Sequence, residues 1–160
     1  MCIIKIMKTN IVLYQTDQPQ NVGSILRTAT TFGVKVHLVE PLGFMWDDKR
    51  MKRAGMDYIE RADMVRHKSF QHFLDAEKEH MKRMVLITTK GATKLQKFAP
   101  KTGDYYIFGQ ESCGLPDNIH EMGDERVVIP MVKGERSINL AQSCAIVMFD
   151  VLTKLETLPE

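Results

Sequence analysis

The chain has 160 residues, 44% of them hydrophobic and 26% charged, with a formal net charge of +2. That length suits one domain able to bury about 70% of its unfolded surface, and so small a charge leaves any nucleic-acid affinity to local basic patches. There is no run of about 18 apolar residues to span a membrane. The opening MCIIKIMKTN lacks the long apolar region and cleavage site of a signal peptide. Cys2, Cys113 and Cys144 form no CxxC, which argues against a disulfide framework and for a reducing cytoplasm.

In chain order, Asn10–Tyr14 reads as a first buried strand. Pro19-Gln20-Asn21 marks a turn or helix start, and Val22, Ile25, Leu26 and Ala29 keep helical spacing up to a stop at Gly33. Lys35–Val39 is a second strand, ended by Glu40-Pro41-Leu42-Gly43. Asp47 or Asp48 can cap a helix running to about Ala54, with Gly55 as its stop. Phe70–Glu79 carries a helical stripe of Phe70, Phe73, Leu74 and Ala76. Arg83–Thr88 and Tyr105–Phe108 read as strands, Pro116–Glu121 as a short helix, Arg126–Ile129 as a strand and Asn139–Leu155 as the closing helix.

Short apolar strands alternating with helices predict an α/β fold, a mostly parallel sheet covered by helices on both faces. The whole chain reads as a single domain with residues 1–9 as an N-terminal extension. The closing helix is apolar almost all round, from Leu140 through Val147 and Phe149 to Leu152. Such a helix needs burial on more than one side, so a homodimer through it is expected.

Neither GxxxxGK[ST] nor a GxGxxG after the first strand is present, so a nucleotide-like ligand would need other loops. The candidates are Asn21–Thr28 and the loops after Thr88, Phe108 and Ile129. Arg27 lies one turn into the first helix. It is either a solvated arginine beside an N-cap Asn21 or a guanidinium facing phosphate or ribose. In FGQESCGLP the glycines serve tight turns, Glu111 can accept hydrogen bonds from loops or ligand, and Cys113 is a bystander. Pro130 directly after a strand exposes backbone groups outside the ladder, and Ser137 or Asn139 can cap the last helix.

Lys49, Arg50, Lys52 and Arg53 form the densest basic run. It is either a solvated helix face or a contact to the RNA backbone. Phe44 and Trp46 before it are either core residues or platforms for bases. The five histidines show neither HxxxH nor His/Cys pairing, so no metal site is expected.

Together, NxGxIxR at Asn21–Arg27, FGxExxGLP at Phe108–Pro116 and IPMxxxxRSxNL at Ile129–Leu140 resemble the three motifs of the SPOUT superfamily of RNA methyltransferases. Glu40–Tyr58 and Leu86–Gly91 are similar to its minimal bacterial TrmL branch, whose members act as tRNA (cytidine/uridine) 2′-O-methyltransferases at the anticodon wobble position. The resemblance runs from about Asn10 to Leu155, with Ser24 departing from an Asn often found in that slot.

The resemblance implies an α/β domain whose C-terminal segment is threaded as a deep trefoil knot, an exception to the rule of unknotted chains. It implies a homodimer acting in the cytoplasm on the tRNA anticodon stem-loop. S-adenosylmethionine would be held by Ile87, Thr88, Gly109, Glu111, Ile129 and Met131, with Ser137 and Leu140 closing the pocket. Arg27 and Arg136 are the implied catalytic residues, and Lys49, Arg50 and Arg53 are the candidates for RNA contact.

Overall fold

A computed structural model describes residues 9–55 and 58–160. Its strands are Asn10–Tyr14 (β1), Lys35–Val39 (β2), Met64–His67 (β3), Arg83–Ile87 (β4), Thr93–Lys94 (β5), Asp104–Phe108 (β6) and Glu125–Val128 (β7). They form one sheet in the order β3-β2-β1-β6-β4-β7-β5. Every neighbouring pair is parallel, so no two adjacent strands are joined by a hairpin. The central register aligns Val12 with both His37 and Ile107, and Ile107 with Leu86.

Among the described residues there are six α-helices, Pro19–Phe32 (α1), Asp48–Gly55 (α2), Tyr58–Arg61 (α3), Phe70–Glu77 (α4), Asp117–Met122 (α5) and Leu140–Lys154 (α6), and a 3-10 turn at Leu95–Lys97. Strand side chains alternate between faces and so build two cores. On one face Ile11, Leu13, Val85, Tyr106 and Phe108 pack with α1, Met51 of α2, and α6. On the other, Val12, Leu86, Tyr105 and Ile107 meet Phe73 of α4 and Ile119 of α5. The sheet is therefore covered on both faces, as the alternating pattern predicts.

Some local expectations need correction. The first helix starts at Pro19, with Gln18 as an N-cap that makes no side-chain bond, so Asn21 lies inside α1 and is not its cap. Proline at the first helical position explains the early start, since its missing N–H has no partner there anyway. Gly33 ends α1 in the left-handed region at φ 68°, and Asn139 is the residue that caps α6. The elements β3, α3 and β5 carry no strong sequence signal. β3 is an edge strand with Arg66 exposed, and β5 has two residues.

The closing helix buries Cys144, Val147, Met148, Val151 and Leu152. It leaves Ile146 and Phe149 42% and 56% exposed, so one apolar strip remains uncovered in the single chain. The proposed N-terminal extension falls almost wholly on residues 1–8, outside the described residues. Among the described residues no helix is long and apolar enough to cross a membrane.

Candidate functional site

The ends of β4, β6 and β7 open onto one cavity of ≈ 510 Å³. Carboxyl ends of parallel strands are where open α/β sheets receive ligands, because loops rather than ladder partners continue the chain there. All eight residues expected to contact the cofactor line this cavity: Ile87, Thr88, Gly109, Glu111, Ile129, Met131, Ser137 and Leu140. Asn21 and Gln18 reach it from the β1–α1 side.

The loop after β6 is built for close approach. A Cβ on Gly109 would lie 2.5 Å from the carbonyl carbon of Gly114, so no larger residue fits without moving backbone. Gly114 itself has φ +72°. Gln110 and Gly114 exchange backbone hydrogen bonds, Gln110 N–H to Gly114 C=O at 3.2 Å and the reverse at 2.7 Å. The Cys113 thiol donates to Gln110 Oε1 at 3.0 Å, and the residue lines the cavity.

Glu111 joins this loop to the first motif. Its Oε1 accepts from the Thr16 hydroxyl at 2.6 Å and from Asn21 Nδ2 at 2.9 Å, and its Oε2 accepts from the Asp17 N–H at 2.8 Å. Asn21 Oδ1 in turn accepts from Asn139 Nδ2 at 3.1 Å, while Asn139 Oδ1 accepts from the N–H groups of Ala141 and Gln142. One continuous chain of hydrogen bonds thus spans the three loops. The Ser112 hydroxyl, against the cost of burial, holds the Asp17 carboxyl below its usual range beside this network.

The two arginines lie elsewhere. Neither Arg27 nor Arg136 is among the residues lining the cavity, and both are exposed, Arg27 on α1 and Arg136 on the loop before α6. The Arg27 guanidinium lies 5.3 Å from the ring centroid of Tyr58.

Lys49, Arg50 and Arg53 are exposed on α2, where Asp47 Oδ1 caps the first turn by accepting from the N–H groups of Lys49 and Arg50. Lys52 of the same helix is paired with Glu60. Phe44 and Trp46 pack against the core and stack with centroids 6.5 Å apart. The Arg66 guanidinium covers the Trp46 ring at 4.7 Å while pairing with Glu40. Both rings pack on the fold and stay partly exposed, and Met45 between them projects at 88% exposure.

Sequence spacing gave no sign of a second polar cluster, His37, His67 and Glu77, brought together by β2, β3 and α4. It lies under α4, on the other core face from α1 and α6. Its ligand-type atoms lie within 4.8 Å of one another. The geometry is that of a hydrogen-bonded pair. His37 Nδ1 and His67 Nε2 are 3.0 Å apart, the rings are inclined by only 21°, and their centroids are 5.2 Å apart, so the two nitrogens point head-on at each other. A cation held by both would need their lone pairs to converge beside that line. Tyr105 occupies Glu77 Oε2 at 2.7 Å, and the Lys35 ammonium lies 4.0 Å from Oε1. Burial pushes His37 down to about 4, so the pair is neutral at ordinary pH.

Residues 8–149 match the SpoU rRNA Methylase family. The chain is 39% identical over 148 residues to a tRNA (cytidine(34)-2′-O)-methyltransferase of Escherichia coli K12, covering 91% of this chain and 93% of that protein. A solved structure described as giving insight into 2-OH methylation of C/U34 on tRNA superposes with a TM-score of 0.87 at 35% identity, covering 94% and 97% of the two chains. The SpoU methyltransferase AviRb of Streptomyces viridochromogenes, solved in complex with AdoMet, shares the fold with a TM-score of 0.86 at 19% identity over 96% of this chain and 63% of that one.

Proposed function

The chain belongs to the SpoU rRNA methylase family, and from that premise we propose that it transfers a methyl group from S-adenosylmethionine to the ribose 2′-hydroxyl of the wobble nucleotide in tRNA, cytidine or uridine 34. The observation that carries this reading is the single cavity at the ends of β4, β6 and β7, where all three motif loops meet. The chain's 39% identity over nearly its full length to a C34 2′-O-methyltransferase supports the substrate.

The cavity suits such a cofactor in its chemistry. Ile87, Leu115, Ile129 and Leu140 offer apolar walls for a base. Thr88, Gly109 and Met131 bring loop backbone groups that can bond the polar edges of a nucleoside and an amino acid. The bound cofactor supplies a methyl group already activated on a sulfonium. The protein's task is then to align the 2′-hydroxyl and to favour the loss of its proton.

Arg27 stays protonated and so acts as an orienting and charge-stabilising group for the developing alkoxide, not as a base. The proton passes to the RNA phosphate or to water. Arg136 grips RNA phosphate beside the cofactor, and Lys49, Arg50 and Arg53 add backbone contacts to the anticodon stem-loop.

We further infer that the C-terminal segment is threaded through a loop as a deep trefoil knot. Ser137, Ile138 and Asn139 share a wall with Thr88 and Gly109–Leu115, which supports this threading. The working unit is a homodimer acting in the cytoplasm. In its favour is the apolar cleft where Ile146 and Phe149 of α6 adjoin Phe32, Leu95 and Pro130, a face that a second copy can cover.

The test is tritium transfer from labelled S-adenosylmethionine to total tRNA lacking wobble ribose methylation, followed by nucleoside mapping. Label on the 2′-oxygen of nucleotide 34 is the expected result. Label at another position moves the substrate, and no label with no cofactor binding ends the enzymatic reading.

A further inference from the structure

Arg27 is a long side chain on the exposed face of α1 and makes no ion pair among the described residues. What it meets instead is an aromatic face. Its guanidinium lies 5.3 Å from the centroid of Tyr58, the first residue of α3. Arg61, the last residue of the same turn, places its guanidinium 4.7 Å from that ring. The neighbours Ile59 and Ala62 pack against the core, while Tyr58 gives its ring face to the two arginines.

The choice of partner has a chemical consequence. A carboxylate would occupy the N–H edge of Arg27 and cancel its charge. A ring attracts the cation through its face, so the charge persists and the five N–H donors around the guanidinium remain available. An arginine that must bind RNA phosphate needs that combination of order and open donors.

We propose that Tyr58 is a positioning residue for methyl transfer, its ring holding Arg27 with the donor edge open to an RNA phosphate at the reacting ribose. The proposal rests on the role given to Arg27 in the wobble-methylation reading. Tyr58 acts through Arg27, so its effect must vanish when Arg27 is absent, which an effect on folding alone would not do.

The experiment is single-turnover methyl transfer to wobble-unmethylated tRNA by wild type, Tyr58→Phe and Tyr58→Leu, each repeated in an Arg27→Ala background. Cofactor affinity and melting temperature are read alongside. Tyr58→Leu is expected to slow transfer about three- to tenfold, the scale of one half-exposed cation–ring contact. Tyr58→Phe keeps the ring and stays within about twofold of wild type. Cofactor affinity is unchanged in both, and Tyr58→Leu has no further effect once Arg27 is alanine. Tyr58→Gln serves the same comparison if the leucine variant does not fold. An unchanged rate in Tyr58→Leu, an equal loss in Tyr58→Phe, or the same loss in both Arg27 backgrounds overturns the proposal. A wild type that leaves nucleotide 34 unlabelled is a separate failure, of the reading beneath it, and takes the proposal with it.

Discussion

Asn139 donates from Nδ2 to Oδ1 of Asn21 at 3.1 Å across 118 positions of sequence, and with its own Oδ1 it caps α6. One side chain thus starts the last helix and fastens it to the first. The two jobs can be separated. Asn139→Asp keeps the capping acceptor but has no donor for Asn21, whereas Asn139→Ala loses both. The alanine variant should melt lower, by the equivalent of about 1 kcal/mol. Both should bind S-adenosylmethionine about tenfold more weakly, the scale of a lost part-buried hydrogen bond. Calorimetric titration beside thermal melts checks this. Full affinity in the aspartate variant would mean that the tie to Asn21 does not shape the pocket.

Glu111 accepts three hydrogen bonds, from Thr16, Asn21 and the Asp17 N–H. Glu111→Gln keeps one oxygen but turns an NH₂ group toward one of these donors. The donor facing it is left unpaired, at a cost of about 1–3 kcal/mol. Lower denaturant midpoint and weaker cofactor binding are expected together. Unchanged values for both would show that the carboxylate charge is dispensable.

Arg27→Ala should leave cofactor affinity nearly unchanged, because Arg27 does not line the cavity. Methylation should fall by at least about a hundredfold, the scale of losing one transition-state donor. Parallel loss of cofactor binding would place Arg27 in a different role.

Neutralising Lys49, Arg50 and Arg53 to glutamine probes the exposed face of α2. Each lost phosphate contact should shallow the slope of log affinity against log salt by about 0.7 to 0.9. An identical slope for wild type and triple variant would make this face a solvated one.

Acid should destabilise the fold in a particular window. Burial first, with Lys35 adding to it, lowers His37 to about 4 from an unfolded value of 6.5, and burial lowers His67 in the same sense. Glu77 is also held low: burial opposes this, but the hydrogen bond from the Tyr105 hydroxyl and the nearby Lys35 ammonium outweigh it. Between pH 6.5 and about 4 the unfolded chain therefore binds more protons than the folded one. Stability contributed by His37 is fully present above pH 6.5 and is lost as pH falls through that interval, at up to about 1.4 kcal/mol per pH unit per histidine. Urea midpoints from pH 7 to 4 should show the decline, and His37→Gln should flatten it. An equal slope in that variant would assign the acid sensitivity elsewhere.

The strands and the cavity loops were legible for a simple reason. Runs such as Asn10–Tyr14 and Lys35–Val39 are short, mostly apolar and buried on both faces, and turn-forming residues such as proline and glycine follow them in the chain. β3 escaped because an edge strand carrying Arg66 and His67 has neither continuous apolarity nor clean alternation. Asn21 looked like a cap because local sequence offers it that use. Its actual partners are Glu111, 90 positions away, and Asn139. The His37–His67 bond and the Arg27–Tyr58 contact were hidden likewise, since each depends on how two elements pack and not on either element's own pattern.

The place of β6 between β1 and β4 has a consequence for how the protein is made. Until Phe108 has left the ribosome, β1–β3 and β4 are unconnected, and the fully buried edges at Ile11–Leu13 and Val85–Leu86 have no neighbour to cover them. A nascent chain paused there is a natural client for chaperones. The cofactor pocket comes later still, because Asn139, Leu140 and Ser143 close its wall. Chains that stop short of Ser143 therefore offer no complete pocket, and S-adenosylmethionine meets a finished site only after that residue has been added.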